Sequence, residues 1–141
     1  MIDGNSRSNQ PFFNEDFVLC FNGEIYNYLE LKQELIELGY SFNTNSDTEV
    51  LLVSYIAFGE SFVEKLNGMF SIAIIDKQIK KLLLYRDRIG VKPLYIYSSN
   101  RLFMFSSEIK TFLKHFHYVS NWKLGYKSTL VCPIRHITTD E

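Results

Sequence analysis

The sequence predicts an α+β domain, and three observations carry that prediction. Between residues 27 and 59, apolar residues recur at helical spacing behind two helix-start signatures. From Met69 to Phe105 the period changes to two, the spacing of half-buried strands. The composition, 46% hydrophobic and 16% aromatic with 12 Phe and 9 Tyr, suits a folded chain rich in β-structure. A length of 141 residues allows one compact domain with a sizeable core and is too short for two ordinary ones.

Taken in order, residues 1–15 are polar and turn-rich and form a loop, with Met1-Ile2 resembling the tail of a strand. Residues 16–21 are a buried strand. It runs into Phe21-Asn22-Gly23-Glu24-Ile25-Tyr26-Asn27, a strand-to-helix junction. Asn27 is an N-cap with Glu30 at N3, followed by Tyr28, Leu31, Leu35 and Leu38 on one face, and Gly39 stops the helix. Lys32, Glu34 and Glu37 fall on the opposite, solvated face. Ser46-Asp47-Thr48-Glu49 is a second capping box, opening a helix through Val50, Leu51, Val53, Tyr55 and Phe58 to Gly59. That helix is apolar nearly all round, so it is expected to be covered on more than one side. Residues 62–66 add a short helical turn. Strands follow at 69–75, 81–85, 94–98 and 102–105, and the polar turns at 76–78 and 98–100 make them two antiparallel hairpins. Ser106 or Ser107 caps a last helix, with Glu108 at its positive end and Ile109, Phe112 and Leu113 facing inward. Residues 116–141 show no clear period, and Cys132-Pro133 cannot sit mid-helix.

Several functional classes are excluded. Fifteen basic and 16 acidic residues are mixed along the chain for a net charge of −1, so nucleic-acid binding has no electrostatic footprint. Cys20 and Cys132 lie far apart without metal-ligand spacing, as buried thiols of a reducing compartment do. His115, His117 and His136 form no metal-like pair and are expected at the surface. No apolar run approaches the length of a membrane span, and the N-terminus lacks the pattern of a signal peptide, so the expected location is the cytoplasm.

Three stretches carry possible chemistry. Asn22-Gly23 is a common turn dipeptide. The same residues can also form an oxyanion hole, the Asn22 amide and the Gly23 N–H both donating to a developing negative oxygen, each worth about 3 kcal/mol in the transition state. Asp47 at a helix start is a cap or, alternatively, a partner for a substrate ammonium group. The charge-dense Arg86-Asp87-Arg88-Ile89-Gly90-Val91-Lys92-Pro93 holds no nucleophile or base and is expected to be a structural ion-pair loop. Cys20 would share a strand face with Asn22, but it sits in an apolar run with no His neighbour and is expected to be a core thiol.

Together, Phe21 to Asn27, Ser46-Asp47-Thr48-Glu49-Val50, Leu66-Asn67-Gly68-Met69-Phe70, Arg86 through Tyr95, and Phe105-Ser106-Ser107-Glu108-Ile109-Lys110 resemble the class II glutamine amidotransferase domain. The combination is most similar to the N-terminal domain of glutamine-hydrolysing asparagine synthetase. The resemblance implies an Ntn-hydrolase-like four-layer αββα sandwich of two antiparallel sheets. It implies a partial amidotransferase domain over residues 1–115 and a tail of unclear structure over 116–141. In that family an N-terminal Cys attacks the glutamine side-chain amide with its own α-amino group as base. The ammonia passes to a synthetase domain or subunit that uses ATP and Mg, and the amidotransferase domain itself needs no cofactor. Carried over by position, Asn22 and Gly23 are the oxyanion donors, and Glu24 and Asp47 hold the α-ammonium of glutamine.

The departures have consequences. The family opens Met-Cys-Gly and continues through an Arg that clamps the substrate carboxylate. Here Met1-Ile2-Asp3 corresponds to a point just downstream, so roughly the first 50 residues of the pattern, with the nucleophile and its strand, have no counterpart. Two expectations follow: the chain alone is inactive as a glutaminase, and an uncovered edge or apolar patch invites a partner. The alternatives are a non-catalytic glutamine-binding or partner-binding module, or an amidotransferase domain serving an amino sugar, a purine precursor or a surface polysaccharide.

Overall fold

The computed structural model describes residues 10–99, 102–118 and 137–139. Along the chain run β1 (Phe12–Phe13), β2 (Phe17–Ile25), α1 (Tyr28–Glu37), α2 (Asp47–Phe58), a 3-10 helix (Gly59–Lys65), β3 (Gly68–Asp76), β4 (Lys81–Arg86), β5 (Tyr95–Ser99), β6 (Leu102–Ser106), α3 (Lys110–Tyr118) and β7 (Ile137–Thr139). Five strands form one antiparallel sheet in the order β1-β2-β3-β4-β7, and β5 and β6 form a second, two-stranded one. The α+β architecture with two antiparallel sheets and both predicted hairpins is the one found.

Strand alternation divides the large sheet into two unlike faces. On one face β2 contributes Leu19, Phe21 and Ile25. The register sets Leu19 against Ile74 and Phe21 against Ile72, and these in turn against Leu83 and Tyr85 of β4. All are buried, and they pack with Leu31 and Leu35 of α1 and Val50, Leu51, Leu52 and Tyr55 of α2 in one core. The aromatic rings continue it as an edge-to-face series, Phe17 on Tyr55, Tyr55 on Phe62 and Phe62 on Tyr85, with centroids 5.8, 5.7 and 5.1 Å apart. The other face carries smaller groups, Cys20 opposite Ala73 and Asn22 opposite Ser71. Beyond it lie β6 and then α3, which packs on β6.

The helices differ from expectation in how their ends are held. Asn27 occupies the N-cap of α1, but its side chain makes no cap bond. Its Nδ2 donates to the Lys65 carbonyl and its Oδ1 accepts from the Asn67 N–H, each at 2.9 Å, so it ties the start of α1 to the entry of β3. Gly39 ends α1 as predicted: with φ at +94°, its N–H reaches the Ile36 carbonyl while the Tyr40 N–H reaches that of Leu35, a Schellman closure. Lys32 is not a solvated bystander. Its Nζ donates to the Thr44 carbonyl and Asn45 Oδ1, both at 2.9 Å, and holds the loop between the helices. Leu38, expected on the apolar face, is exposed at the end of the helix.

In α2 the Ser46 hydroxyl accepts from the Thr48 N–H at 3.1 Å, as the capping pattern predicts. Glu49 does not return to the cap. It is buried and grips Asn43 N–H, Thr44 N–H and the Thr44 hydroxyl at 2.9, 2.7 and 2.6 Å. The helix is covered on more than one side, as its all-round apolarity requires: Val50, Leu51, Leu52, Ser54 and Tyr55 are all buried. In α3 only Phe112 of the three expected residues is buried, while Ile109 and Leu113 are each 49% exposed.

Two strands were not anticipated. Phe12-Phe13 pairs with Val18-Leu19 inside the predicted N-terminal loop, and Ile137–Thr139 pairs with Leu82–Leu84. Both are too short to show a period. The expected strand tail at Met1-Ile2, the Cys132 thiol and His136 lie outside the described residues.

Phe62, fully buried between Tyr55 and Tyr85, is the keystone of the aromatic series. Phe62→Ala is expected to destabilise the fold by about 3–5 kcal/mol, read as a lower urea midpoint with little change in slope.

Candidate functional site

The heptapeptide 21–27 joins β2 to α1 as predicted, but its Asn22-Gly23 is not a turn. Residues 22–25 continue β2 and pair in unbroken register with 68–71 of β3. Gly23 adopts φ +152°, and a Cβ there would stand 2.0 Å from the Met69 carbonyl oxygen. Gly68, opposite Ile25, is equally confined, since its Cβ would stand 2.2 Å from the Glu24 carbonyl oxygen. The two Asn-Gly dipeptides, 22–23 and 67–68, are therefore places where backbones approach too closely for a side chain.

The edge of β2 that β3 leaves uncovered carries the N–H groups of alternate residues. The Phe21 N–H is taken by Gln10 Oε1 at 2.6 Å, and the Ile25 N–H by the Asp47 carboxylate. On the opposite edge the Tyr26 N–H meets the Asn67 carbonyl at 2.8 Å, which confirms the alternation. The Gly23 N–H thus faces the same side as those of Phe21 and Ile25, between a glutamine amide and a carboxylate. Asp47 stands at the first residue of α2, half-buried, where the helix's partial positive charge favours an anion. Burial pushes its carboxyl above the ordinary value of 3.8, and the N–H groups of Thr48, Ile25 and Asp47 itself, with the Thr48 hydroxyl, pull it back in part.

Asn22 projects from the other face into a cleft of about 210 Å³, lined by Gln10, Cys20, Asn22, Ser71, Leu94, Phe105, Ser106 and Ser107 among others. Its Nδ2 donates to the Ser107 hydroxyl at 3.1 Å. Glu24 is exposed on the same face of β2, two residues on. All four residues singled out from the sequence therefore fall on one stretch of strand and the helix start beside it. Cys20, expected in the core, instead lines this cleft, half-exposed, and burial pushes its thiol above 9.0. It is held as a thiol rather than a thiolate at neutral pH, a poor nucleophile.

Residues 86–93, the loop that leads to Leu94 of the cleft, are not held by the expected ion pair. Arg86 donates to the Lys92 carbonyl from Nε at 2.7 Å and to the Gly90 carbonyl from Nη2 at 2.8 Å. Asp87 is buried and accepts from the N–H groups of Val91, Lys92 and Phe70 at 2.8, 2.9 and 3.3 Å. Burial raises the Asp87 carboxyl, but the N–H groups of Lys92, Val91, Phe70 and Gly90 outweigh it and hold it below 3.8. The Ser71 hydroxyl joins the loop to the cleft by donating to the Pro93 carbonyl at 2.9 Å.

A main-chain donor and a side-chain amide on one strand, beside a carboxylate at a helix start, are the parts that recognition of an amide carbonyl and an ammonium group requires. The family model for the glutamine amidotransferase domain matches residues 1–129. The chain belongs to this family. The amidotransferase domain is 48% identical over 118 residues to an asparagine synthetase (glutamine-hydrolysing) 2 of Bacillus subtilis, covering 81% of this chain and 16% of that protein. It is 43% identical over 113 residues to a glutamine-hydrolysing asparagine synthetase of Zea mays, covering 78% and 19%. Thus it spans less than a fifth of the length of these relatives. Among solved structures it is similar to the B. subtilis glutamine phosphoribosylpyrophosphate amidotransferase complexed with ADP and GMP. The TM-score is 0.68 at 26% identity, over 77% of this chain and 26% of that one.

Three residues that line the cleft carried little signal in the sequence. Gln10 lay in a predicted loop, Ser71 inside a strand, and Ser107 in a stretch read as a helix cap. The Asp87 cluster, by contrast, has a consequence for stability. A carboxyl held below 3.8 contributes stability that is complete above that pH and is lost as pH falls through the folded value. Asp87→Asn is expected to lower stability near pH 7 by about 2–3 kcal/mol. The difference from wild type should shrink as the pH drops below 3.8, followed by urea denaturation across a pH series.

Proposed function

We propose that this domain forms the charge-stabilising and substrate-gripping part of a glutaminase site that supplies ammonia for asparagine synthesis. The observation that carries the proposal is the placement of the Gly23 N–H, on the open edge of β2 between Gln10 and the Asp47 carboxylate, next to the Asn22 amide. In this scheme the glutamine side-chain carbonyl oxygen receives the Asn22 amide and the Gly23 N–H. Both donors are fixed before substrate arrives, so the negative charge that develops on that oxygen is met without reorganisation. Asp47 and Glu24 face the α-ammonium end. Gly at 23 is what lets a substrate oxygen approach the backbone itself.

Bond cleavage needs a thiolate. Residues 1–141 hold cysteines only at 20 and 132, and burial keeps the Cys20 thiol protonated. The family resemblance assigns the nucleophile to an N-terminal Cys. We place ATP and Mg in a synthetase domain or subunit rather than in this domain, with glutamine as the small-molecule partner and the cytoplasm as the compartment. The 43–48% identities to asparagine synthetases favour that acceptor over purine chemistry, since a similar structure of a purine-biosynthesis enzyme stands at 27%.

The test is glutamine titration of the 141-residue polypeptide by calorimetry, with ammonia release assayed in parallel. Binding in the millimolar range or tighter, without turnover above background, is expected. Asp47→Asn should weaken binding about tenfold or more. Because the ammonium needs the ionised carboxylate, wild-type binding should fall on acidification through the raised Asp47 value, at a higher pH than an ordinary carboxyl would give. Ammonia release at the rate of an intact amidotransferase, abolished by Cys20→Ala, would overturn the division of labour proposed.

A further inference from the structure

We propose that Ser107 is a positioning residue for the oxyanion hole: its hydroxyl holds the Asn22 side-chain amide so that an N–H is presented to the cleft. This rests on the glutaminase-site assignment above and adds a residue to it.

An asparagine side chain on a strand is poorly defined by itself. Its terminal torsion has a broad, roughly two-fold preference, and its two ends have opposite polarity. Turned one way it gives a donor to a developing oxyanion; turned the other it sets a carbonyl oxygen against it. Asn22 is exposed, so packing alone does not choose. The contact that holds the amide comes from 85 residues away in the chain: the Ser107 Oγ accepts from Nδ2 at 3.1 Å. An amide nitrogen has two hydrogens, so one remains for a ligand once the first is bound.

Ser107 is itself fixed. Its neighbour Ser106 accepts the Glu108 N–H at 3.1 Å and shares a 3.1 Å hydroxyl contact with Thr111. The Thr111 N–H returns to the Glu108 carbonyl at 3.2 Å and the Phe112 N–H to that of Ile109 at 3.1 Å, and Phe112 is buried. The adjacent serines thus divide the work. Ser106 caps the turn leading into α3, and Ser107 is left to reach across the cleft that both of them line.

The full chain, labelled with nitrogen-15, provides the test. The Asn22 side-chain amide pair, assigned by its loss in Asn22→Ala, should show one hydrogen-bonded, slowly exchanging proton. Ser107→Ala should bring both protons to free-amide values, and Ser107→Thr should restore the bonded one. Titration with L-glutamate and L-glutamine gives the functional readout, because the glutamate side-chain carboxylate puts a negative oxygen where the oxyanion forms. Ser107→Ala should weaken glutamate by about tenfold and glutamine much less. An Asn22 amide unchanged in Ser107→Ala overturns the proposal and leaves the glutaminase-site assignment intact. Equal loss of both ligands, in step with a lower melting temperature, makes Ser107 a structural tether and overturns it too. Failure of the wild-type chain to bind either amino acid, with the amide contact present, overturns the underlying assignment and this proposal with it.

Discussion

The close approach of β2 to β3 at Gly23 and Gly68 is the constraint on which the site depends. Each glycine faces a carbonyl oxygen of the other strand at a distance no Cβ could tolerate. A glycine within a strand costs about 0.5–1 kcal/mol relative to alanine, and two stand on opposite strands of one ladder with a single residue pair between them. What the pair achieves is continuity. The ladder runs from Phe17 against Asp76 to Ile25 against Gly68 without a bulge, so the site residues belong to the sheet and not to a loop. Asn27 completes the arrangement by binding the backbone on both sides of Leu66. The two Asn-Gly segments of the chain are thereby locked together at the point where the site is built.

From that continuity follows the division of the sheet. Odd-numbered side chains of β2 serve the helix-side core, whereas Cys20 and Asn22 face the cleft. The backbone N–H groups add a third direction, along the uncovered edge, where Gln10 and Asp47 take the donors flanking Gly23. One strand therefore supplies packing through one face, a side-chain donor through the other and a main-chain donor through its edge. The fold can hold these three sets rigid because more than one element fixes each. The core is held by interlocked rings, the cleft side by the bond from Ser71 to the loop before Leu94, and the edge by the start of α2.

Much of this was legible in the sequence, and the exceptions share a cause. Helices and long strands announced themselves by period, and the Ser46 cap by its hydroxyl and spacing. Asn22, Gly23, Glu24 and Asp47 were singled out together, and the structure sets them on one stretch of β2 and the helix start beside it. What failed were inferences from local pairs. Asn-Gly signals a turn when a chain is considered alone, yet here the glycines answer to a neighbouring strand. Arg86 and Asp87 look like an ion pair, yet each turns to backbone groups of the following loop, which supply more bonds in better geometry than the partner side chain would. Glu49 and Asn27 likewise left their expected caps for more distant backbone. A buried backbone N–H without an acceptor costs about 1–3 kcal/mol, so long polar side chains go where such groups would otherwise be orphaned. Sequence spacing does not show where those groups are.

The same logic explains how the proposed oxyanion donors are held in place without help from a thiol. Oxyanion donors are useful only if they are placed before the charge appears, and that placement has to be held by the fold. Here the Gly23 N–H is fixed by a ladder, Asp47 by a helix start, and the Asn22 amide by Ser107. None of these supports passes through a thiol. The free energy that orders the donors comes from sheet pairing and from the core on the far side of β2, which remain intact whatever occupies the cleft. The placement of these donors is therefore held by the sheet, the helix start and the Ser107 hydroxyl, independently of the Cys20 thiol.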